Sequence, residues 1–394
     1  MDHPARFFSS SYAQARHRFL EAAEAAGLDS VSLRHPLSGL EGEELAMDLV
    51  VDGDPGAGSM LIVSSGCHGI EGYAGSGVQL FALRDATLRA QARAARVAVA
   101  YIHALNPFGF SHLRRATHEN VDLNRNFLDF TAPLPTNDAY RRVHPLLVPE
   151  QWPPPAANDE ALMAMMQSEG TRALQAVVTR GQHEFPDGLF FGGVEPCWSN
   201  LTLRQVLRRT ASSARRLAWI DVHTGLGPQG ATERILSCEP GAAEARARAW
   251  WGADLTSIHD DSSSSTFLTG LMWTVARDEC PQAEYTGIAI EYGTRPVLEV
   301  LQALRADNWL HLDRGTVKPG LPDELVRQIG RQMLDAFYID TDEWQGNVLI
   351  QAREAISQAM AGLSAGDTLQ LTEAPRSTSS DRSTPRWQRD SSSQ

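Results

Sequence analysis

The segment CHGIEG at positions 67–72 places a histidine, His68, and a glutamate, Glu71, three residues apart. It follows the apolar run 60–63, so both side chains lie on a turn that leaves a predicted buried strand. Two protein ligands can reach one zinc ion in this way, and catalytic zinc sites commonly combine two histidines, one glutamate and an open position for water. A single His-x-x-Glu pair also occurs by chance on solvated surfaces, so the rest of the sequence must decide.

Two more polar residues that suit this chemistry end apolar runs. His223 closes the run 217–222, and Glu291 closes the run 287–290. In open α/β sheets, ligands bind at the edge where the carboxyl ends of the strands lie. An isolated buried histidine is more often a hydrogen-bonded core residue than a functional one. Three candidates that converge on one edge, with His68 as the third, are harder to obtain by accident.

The elements that must position these residues follow a regular pattern. We predict helices over 11–27 and 74–95, strands over 60–65, 96–103, 217–223 and 287–291, and an edge strand over 46–51 that ends in a turn. Apolar runs that alternate with helices predict a largely parallel sheet covered by helices on both faces. We expect one catalytic domain over 1–363, followed by a disordered tail over 364–394 that is rich in Ser, Thr, Arg, Gln and Pro.

Composition narrows the class of protein. The net charge of −13 argues against nucleic acid or an anionic membrane as a partner, because both require a basic surface. The 4 cysteines are widely spaced without a Cys-x-x-Cys pair, so neither a structural zinc knuckle nor a disulfide framework is predicted. No stretch has the length and apolar character of a signal peptide or a membrane span. We therefore expect a soluble cytoplasmic protein, and its oligomeric state stays open.

A second motif leaves strand 96–103 at the same predicted edge. Asn106-Pro107-Phe108-Gly109 is a loop signature, and the arginine doublet at 114–115 follows it. The segment VDLNRNF at 121–127 is too polar for a core strand and too rich in Asn for a helix interior. Together these features predict a long polar loop beside the candidate ligands.

With these motifs in order, the sequence resembles the zinc carboxypeptidase superfamily, which includes the related aspartoacylase and succinylglutamate desuccinylase deacylases. The match spans about residues 60–295 and, as an ordered set, is specific. The resemblance implies a three-layer α/β/α fold with a mixed, largely parallel central sheet. It also implies one Zn²⁺ per chain and the hydrolysis of amide bonds.

The resemblance further implies a role for each matched residue. His68, Glu71 and His223 would hold zinc, and Glu291 would be the general base that moves a proton from water to the leaving amine. Arg115 would stabilise the developing oxyanion, with Arg114 as the alternative because the doublet leaves the register open.

Three residues of the polar loop complete the implied site. Asn124 and Arg125 match the pair that binds the terminal carboxylate of the substrate, for which a guanidinium fork has suitable geometry. Asp122 matches the carboxylate that orients the first zinc-bound imidazole. If Glu291 were not the base, Glu284 or Asp221 would be the next candidates.

The sequence also departs from the family. Carboxypeptidases carry a tyrosine on a mobile loop about twenty residues before the catalytic glutamate, but the segment 262–270 reads SSSSTFLTG. We expect residues 260–265, two aspartates followed by four serines, to form a solvated loop over the site. We also expect Cys67 to be a small buried hydrophobe that points away from the site.

The substrate is not settled by these patterns. The segment DVHTG at 221–225 is closer to the deacylases, so a peptide and an N-acyl amino acid both remain candidate substrates. A non-catalytic binding module on a degenerate peptidase fold is a third possibility. Against this third possibility, every expected catalytic position is filled, including Glu291.

Overall fold

The computed structural model describes residues 3–312 and 317–370. These residues form one sheet of seven strands, β1 (Ser30–Ser38), β2 (Glu44–Asp52), β3 (Ser59–Ser64), β4 (Ala98–His103), β5 (Arg216–Thr224), β6 (Thr232–Leu236) and β7 (Glu284–Tyr292). The strand order is β1-β2-β4-β3-β5-β7-β6. The four central strands β4, β3, β5 and β7 are parallel, whereas β1, β2 and β6 pair antiparallel at the two sides.

The helices of the described residues surround this sheet. They are α1 (Tyr12–Ala25), α2 (Gly72–Arg84), α3 (Ala86–Ala95), α4 (Pro107–Ser111), α5 (Tyr140–Leu147), α6 (Ala156–Glu169), α7 (Thr171–Thr179), α8 (Trp198–Thr210), α9 (Ala242–Trp251), α10 (Val275–Glu279), α11 (Val297–Leu310), α12 (Asp323–Phe337) and α13 (Asp342–Gln370). Short 3-10 turns cover Pro4–Phe7, Pro55–Ala57, Gly69–Glu71, Leu123–Arg125 and Met272–Thr274. In the part of the chain that the structure describes, no helix is both long and apolar enough to span a bilayer.

Helices pack on both faces of the sheet, as the apolar strands predict. Side chains alternate along a strand, so Leu61 and Val63 of β3 join one core cluster with residues of α1, α2 and α13. Met60 and Ile62 face the other way and join a second cluster with residues of α8 and α10. The predicted three-layer α/β/α fold with a mixed central sheet is confirmed.

The main corrections concern the edges of the sheet. Strand β2 was predicted as an edge strand, but β1 pairs with it and forms the edge. The sequence of β1, SVSLRHPLS, is mostly polar and contains Pro36. Such a sequence is compatible with an outer strand, but it lacks the apolar run from which the other strands were predicted. The short outer strand β6 was also not predicted.

Two predicted boundaries also differ from the structure. The predicted helix over 74–95 divides into α2 and α3 at Asp85, whose carboxylate accepts hydrogen bonds from the backbone N–H groups of Thr87 and Leu88. Helix α13 continues to Gln370, so residues 364–370 of the predicted tail belong to a helix. The remainder of that tail, 371–394, lies outside the described residues.

The parallel strands bring the candidate residues to one edge. In the register of β5 and β7, His223 lies directly beside Glu291. In the register of β3 and β5, Ser64 lies beside Asp221, and His68 follows four residues later in the chain. The three strand ends therefore place their polar residues within reach of one another.

The turn that carries His68 also packs tightly against the second predicted loop. The backbone N–H groups of Gly69 and Ile70 donate to the carbonyls of Arg115 (3.1 Å) and Arg114 (2.8 Å). A Cβ added to Gly69 would lie 2.1 Å from the carbonyl carbon of Gly109. The two loops thus meet backbone to backbone, and only glycine fits at position 69.

We expect Gly69→Ala to lower the free energy of unfolding by at least about 1–3 kcal/mol, the usual cost of an overpacked site, because backbone atoms must move to accept the methyl group. The matched control is Gly346→Ala in α13, where the nearest atom, Cγ of Pro4, is 3.5 Å from the added Cβ. That change should stabilise the protein by about 0.5–1 kcal/mol, as Gly to Ala does inside a helix. Urea unfolding followed by circular dichroism measures the free energy of unfolding of both variants. Equal changes in the two variants would contradict the close approach of Gly69 to the backbone of Gly109.

Candidate metal centre

The three predicted metal ligands meet at the carboxyl edge of the sheet. His68 and Glu71 lie on the turn after β3, and His223 lies near the end of β5. One ligand atom from each lies within 4.8 Å of the other two. All three side chains are buried. Two imidazoles and one carboxylate at this spacing are a donor set that zinc favours.

The orientation of the two imidazoles supports the same conclusion. Their Nδ1 atoms face Glu71, at 2.8 Å from Oε1 for His68 and 3.0 Å from Oε2 for His223. Their Nε2 atoms face other carboxylates, Asp122 at 3.2 Å and Asp221 at 2.5 Å. For His223, the carboxylate on the outer nitrogen fixes the ring and its tautomer, which leaves the inner nitrogen free to bind a metal. The outer nitrogen of His68 also lies 2.7 Å from Nη2 of Arg115, so Asp122 and Arg115 together position that ring. The residues present therefore fit a zinc ion.

The charges of the centre also favour a bound cation. Burial alone would raise the pKa of Glu71, yet His68 and His223 hold it well below its usual range. Burial likewise opposes ionisation of Asp122, but Arg115 and other nearby cations hold its pKa far below the ordinary value. Burial disfavours a charged His223, but Asp221 and Glu71 raise its pKa well above the ordinary value. Buried, ionised carboxylates require compensating positive charge, which His68, His223 and Arg115 supply here. A divalent ion bound to the neutral imidazoles would take over this role and release the proton of His223.

Asp221 contacts His223, one of the candidate metal ligands, and the sequence did not predict this contact. Ser64 donates to its Oδ1 (2.5 Å), and the indole N–H of Trp219 donates to the hydroxyl oxygen of Ser64 (2.7 Å). The signal was present in the strand period, because positions 219, 221 and 223 lie on the same face of β5. A buried chain of hydrogen bonds, from Trp219 through Ser64 to Asp221, thus orients the imidazole of His223.

Glu291 lies beside the donor set, as the strand register requires. Its Oε1 accepts a hydrogen bond from the backbone N–H of Leu226 (2.9 Å), and its side chain lines the cavity described below. Burial, and then the nearby charge of Glu71, raise the pKa of Glu291 to about 8. A divalent cation held by the neighbouring ligands would lower this pKa, so the group is suited to exchange protons near neutrality.

The structure distinguishes the two members of the arginine doublet. Arg115 donates to Asp122 (3.0 Å) and Glu71 (3.2 Å) and lines the cavity. Arg114 points away and forms a buried ion pair with Asp307 (3.2 Å). The alternative assignment of Arg114 therefore lacks contact with the centre.

Arg125 lines the cavity but is already held by the protein. Its Nε and Nη2 both donate to the carbonyl of Thr179, at 2.9 and 2.5 Å, and its Nη1 donates to the carbonyl of Asn124 (2.9 Å). The side-chain oxygen of Asn124 accepts from the backbone N–H of Met272 (2.8 Å). The Nη1–Nη2 edge of the fork is the one that a substrate carboxylate would have to use.

A cavity of about 160 Å³ opens next to the centre. Among its charged lining residues, Arg115 and Asp221 are hydrogen-bonded to the candidate metal ligands, and Glu291 lies beside His223. Away from them the lining is mainly apolar and includes Met166, Leu174, Val178, Leu226, Leu268, Leu271, Trp273, Val300 and Leu304. A site with a few polar groups at one end of an apolar pocket is typical for small ligands.

Two predictions about residues near the centre need correction. Residues 260–265 were predicted to be solvated, and positions 260–262 are indeed exposed, but Ser263 and Ser265 are buried. Cys67 is fully buried as expected, yet its sulfur lies within 4.8 Å of ligand atoms of Asp221 and His223 and does not point away from the site. Cys67 lies in a loop where the strand alternation used for its prediction no longer holds, whereas the serine-rich segment was predicted from its composition alone.

Comparison with known proteins places the chain in a family. A family model with the description "Protein of unknown function (DUF2817)" matches residues 8–351. The chain is a DUF2817 protein. No curated protein matches this DUF2817 chain.

Solved structures that this DUF2817 protein is similar to include metallocarboxypeptidases, the superfamily that its sequence resembles. Carboxypeptidase A from Helicoverpa armigera is 12% identical, with a TM-score of 0.43 over 83% of this chain and 73% of that chain. A metallo-carboxypeptidase from Burkholderia cenocepacia is 13% identical, with a TM-score of 0.42 over 84% and 69%. The ectoine utilization protein EutE (DoeB) from Ruegeria pomeroyi is 15% identical, with a TM-score of 0.33 over 75% and 69%.

We expect the purified DUF2817 protein to bind about one zinc ion per chain, because three donor atoms converge on one point. Loss of a residue that is hydrogen-bonded to a metal ligand typically weakens metal affinity by roughly 10–100-fold. His68→Ala removes a candidate ligand itself, so it should weaken zinc affinity by more than this. His17→Ala, at a side chain that is 72% exposed, is the control and should keep full affinity. Competitive chelator titration measures both, and unchanged affinity in His68→Ala would refute the ligand assignment.

Proposed function

We propose that this protein is a zinc-dependent hydrolase of amide bonds, similar to a carboxypeptidase, and that its substrate carries a free carboxylate. The observation that carries the proposal is the position of Glu291 directly beside His223, one of three convergent zinc-type donors. A buried carboxyl group next to a metal centre, in a cavity that takes a small ligand, suits proton transfer during hydrolysis.

His68, Glu71 and His223 would hold the metal. When bound, zinc would polarise the substrate carbonyl and lower the pKa of water. Asp221 would hold the outer nitrogen of His223, and Asp122 together with Arg115 would hold that of His68, so that both rings keep an orientation suited to metal binding.

Glu291 would move the protons. One of its oxygens is held by the N–H of Leu226, which fixes the plane of the carboxyl group. The group would accept a proton from the attacking water and pass it to the leaving amine. Because the pKa of Glu291 is raised by burial, the protonated form is accessible for the second step.

Arg115 and Arg125 would bind the substrate's negative charges. Arg115 places N–H donors beside Glu71, where the carbonyl oxygen develops charge in the transition state. The outer edge of the Arg125 guanidinium would receive the substrate carboxylate, with Asn124 beside it. Both arginines line the same cavity.

The same chemistry also serves an N-acyl amino acid deacylase of the aspartoacylase or desuccinylase type. One contact favours this alternative: Asp221, from the deacylase-like DVHTG segment, is bonded to His223. A non-catalytic binding module is a weaker alternative, since such a protein has no need for Glu291 beside the donor set.

Glu291→Gln keeps the size of the side chain but cannot accept a proton. We expect it to retain zinc and substrate binding and to lose turnover by at least about a hundredfold, the usual scale for removal of a general base. Glu284→Gln, at the other end of β7 on a side chain that is 50% exposed, is the matched control. Near-normal turnover of Glu291→Gln would move the base elsewhere and would reopen the binding-module alternative.

The role of Arg125 is tested with paired substrates that differ only in a free or amidated carboxylate. Amidation of the substrate carboxylate should lower kcat/KM by a factor equivalent to roughly 2–5 kcal/mol, because the buried guanidinium of Arg125 loses its charged partner. Arg125→Lys should lose most of this discrimination, because an ammonium group cannot form the fork. Arg180→Lys, at an exposed position beside Thr179, is the control. If the unaltered protein cleaves both substrates equally, Arg125 only anchors the chain at Thr179, and the carboxylate requirement is wrong.

A further inference from the structure

Two neighbouring segments of the cavity wall are joined to each other by hydrogen bonds. Helix α7 contributes Leu174 and Val178 to the lining, and the serine-rich segment before α10 contributes Ser265 and Leu268. We call residues 256–271 the serine segment. It forms part of the wall although the sequence predicts a solvated loop there.

Direct hydrogen bonds connect α7 to the serine segment. Arg172 donates to the carbonyl of Ser263 (2.9 Å) and to the carboxylate of Asp261 (3.1 Å). Gln175 donates to the carbonyl of Ser264 (3.0 Å). The hydroxyls of Thr179 and Thr266 lie 3.0 Å apart. We call this set of hydrogen bonds the bridge. It runs along α7 from the first turn of the helix to its last residue.

The serine segment is fixed on its other side by the sheet. Glu233 on β6 accepts hydrogen bonds from the backbone N–H of Ser264 (3.0 Å), from its hydroxyl, and from the hydroxyl of Thr256 (2.5 Å). In the register of β6 and β7, Glu233 lies directly beside Glu291. The wall is thus attached to the strand pair that carries the proposed general base.

The space that this wall encloses is small. A cavity of about 160 Å³ is similar in size to an engineered cavity of roughly 150 Å³ that binds benzene. The lining residues Thr171 and Val297 are exposed, which marks the mouth between the first turns of α7 and α11. The bridge borders this mouth, because Arg172 follows Thr171 in the first turn of α7.

We propose that the bridge between α7 and the serine segment sets the substrate size, and that the substrate is a single amino acid carrying a small, uncharged, apolar acyl group. This inference rests on the proposed amide hydrolase function. Away from the metal end the lining supplies no cation for a charged acyl group, and its polar residues Gln175 and Thr179 are already hydrogen-bonded to the serine segment. Arg125 would be occupied by the carboxylate of the amino acid itself. A longer peptide is excluded by the wall.

The test uses substrates with one common amino acid and one common scissile amide. Butanoyl and succinyl derivatives compare acyl groups of equal length without and with a carboxylate, and acetyl-Ala₁ to acetyl-Ala₃ derivatives compare length. We expect kcat/KM to be at least tenfold lower for the succinyl derivative than for the butanoyl derivative. We also expect kcat/KM to fall at least tenfold from acetyl-Ala₁ to acetyl-Ala₂ and again from acetyl-Ala₂ to acetyl-Ala₃. Calorimetric binding of the same compounds to the Glu291→Gln protein should show the same order without turnover.

Arg172→Ala removes two contacts of the bridge at a side chain that is 44% exposed, so the fold should persist. It should raise kcat/KM for the acetyl-Ala₃ substrate at least fivefold and leave the butanoyl substrate unchanged. Arg142→Ala, which removes an exposed ion pair with Glu169 in the same region, is the matched control and should change neither.

The outcomes separate the two proposals. If long and short substrates are cleaved and bound equally, the size limit is wrong while the hydrolase function stands. If Arg172→Ala does not relieve the length dependence, the bridge does not set it. If no member of the series is cleaved or bound by zinc-loaded protein, the hydrolase proposal fails, and the size limit fails with it.

Discussion

The carboxylate of Glu71 holds the centre of this molecule together. It is 2.8 Å and 3.0 Å from the Nδ1 atoms of His68 and His223, and it accepts hydrogen bonds from Arg115 and from the backbone N–H of Thr224. These partners come from the turn after β3, the polar loop and the end of β5. Removal of one partner from a buried charged pair typically costs about 3–5 kcal/mol, so each of these segments is held in place by the same side chain.

The strand register determines where this carboxylate finds its partners. Strands β3, β5 and β7 are parallel neighbours, so their ends meet at one edge without any contribution from the loops. His223 and Glu291 are adjacent because two strands pair residue for residue. The loops then add the parts that a strand cannot supply, namely a turn with Gly69 and a polar segment with Asp122 and Arg125.

The sequence predicts the centre better than its surroundings, for a physical reason. Strands β3, β5 and β7 are buried on both faces, so they appear as continuous apolar runs, and the polar residues that end them are conspicuous. The outer strands β1 and β6 are partly exposed and lack such a pattern. The serine segment has the composition of a solvated loop, but residues distant in sequence, among them Glu233, Arg172 and Gln175, supply hydrogen-bond partners for its polar groups. Contacts of this kind join residues far apart in sequence and leave no local signal.

The backbone contact between Gly69 and Gly109 has a consequence for how such sites can be rebuilt. The turn that carries two candidate metal ligands and the loop that carries the arginine doublet meet through backbone atoms at Gly69 and Gly109. Neither loop can be lengthened or exchanged alone, because the replacement would have to reproduce the same main-chain surface. The two loops form a single transplantable unit, and an engineer who wishes to move this chemistry into another scaffold must move both together.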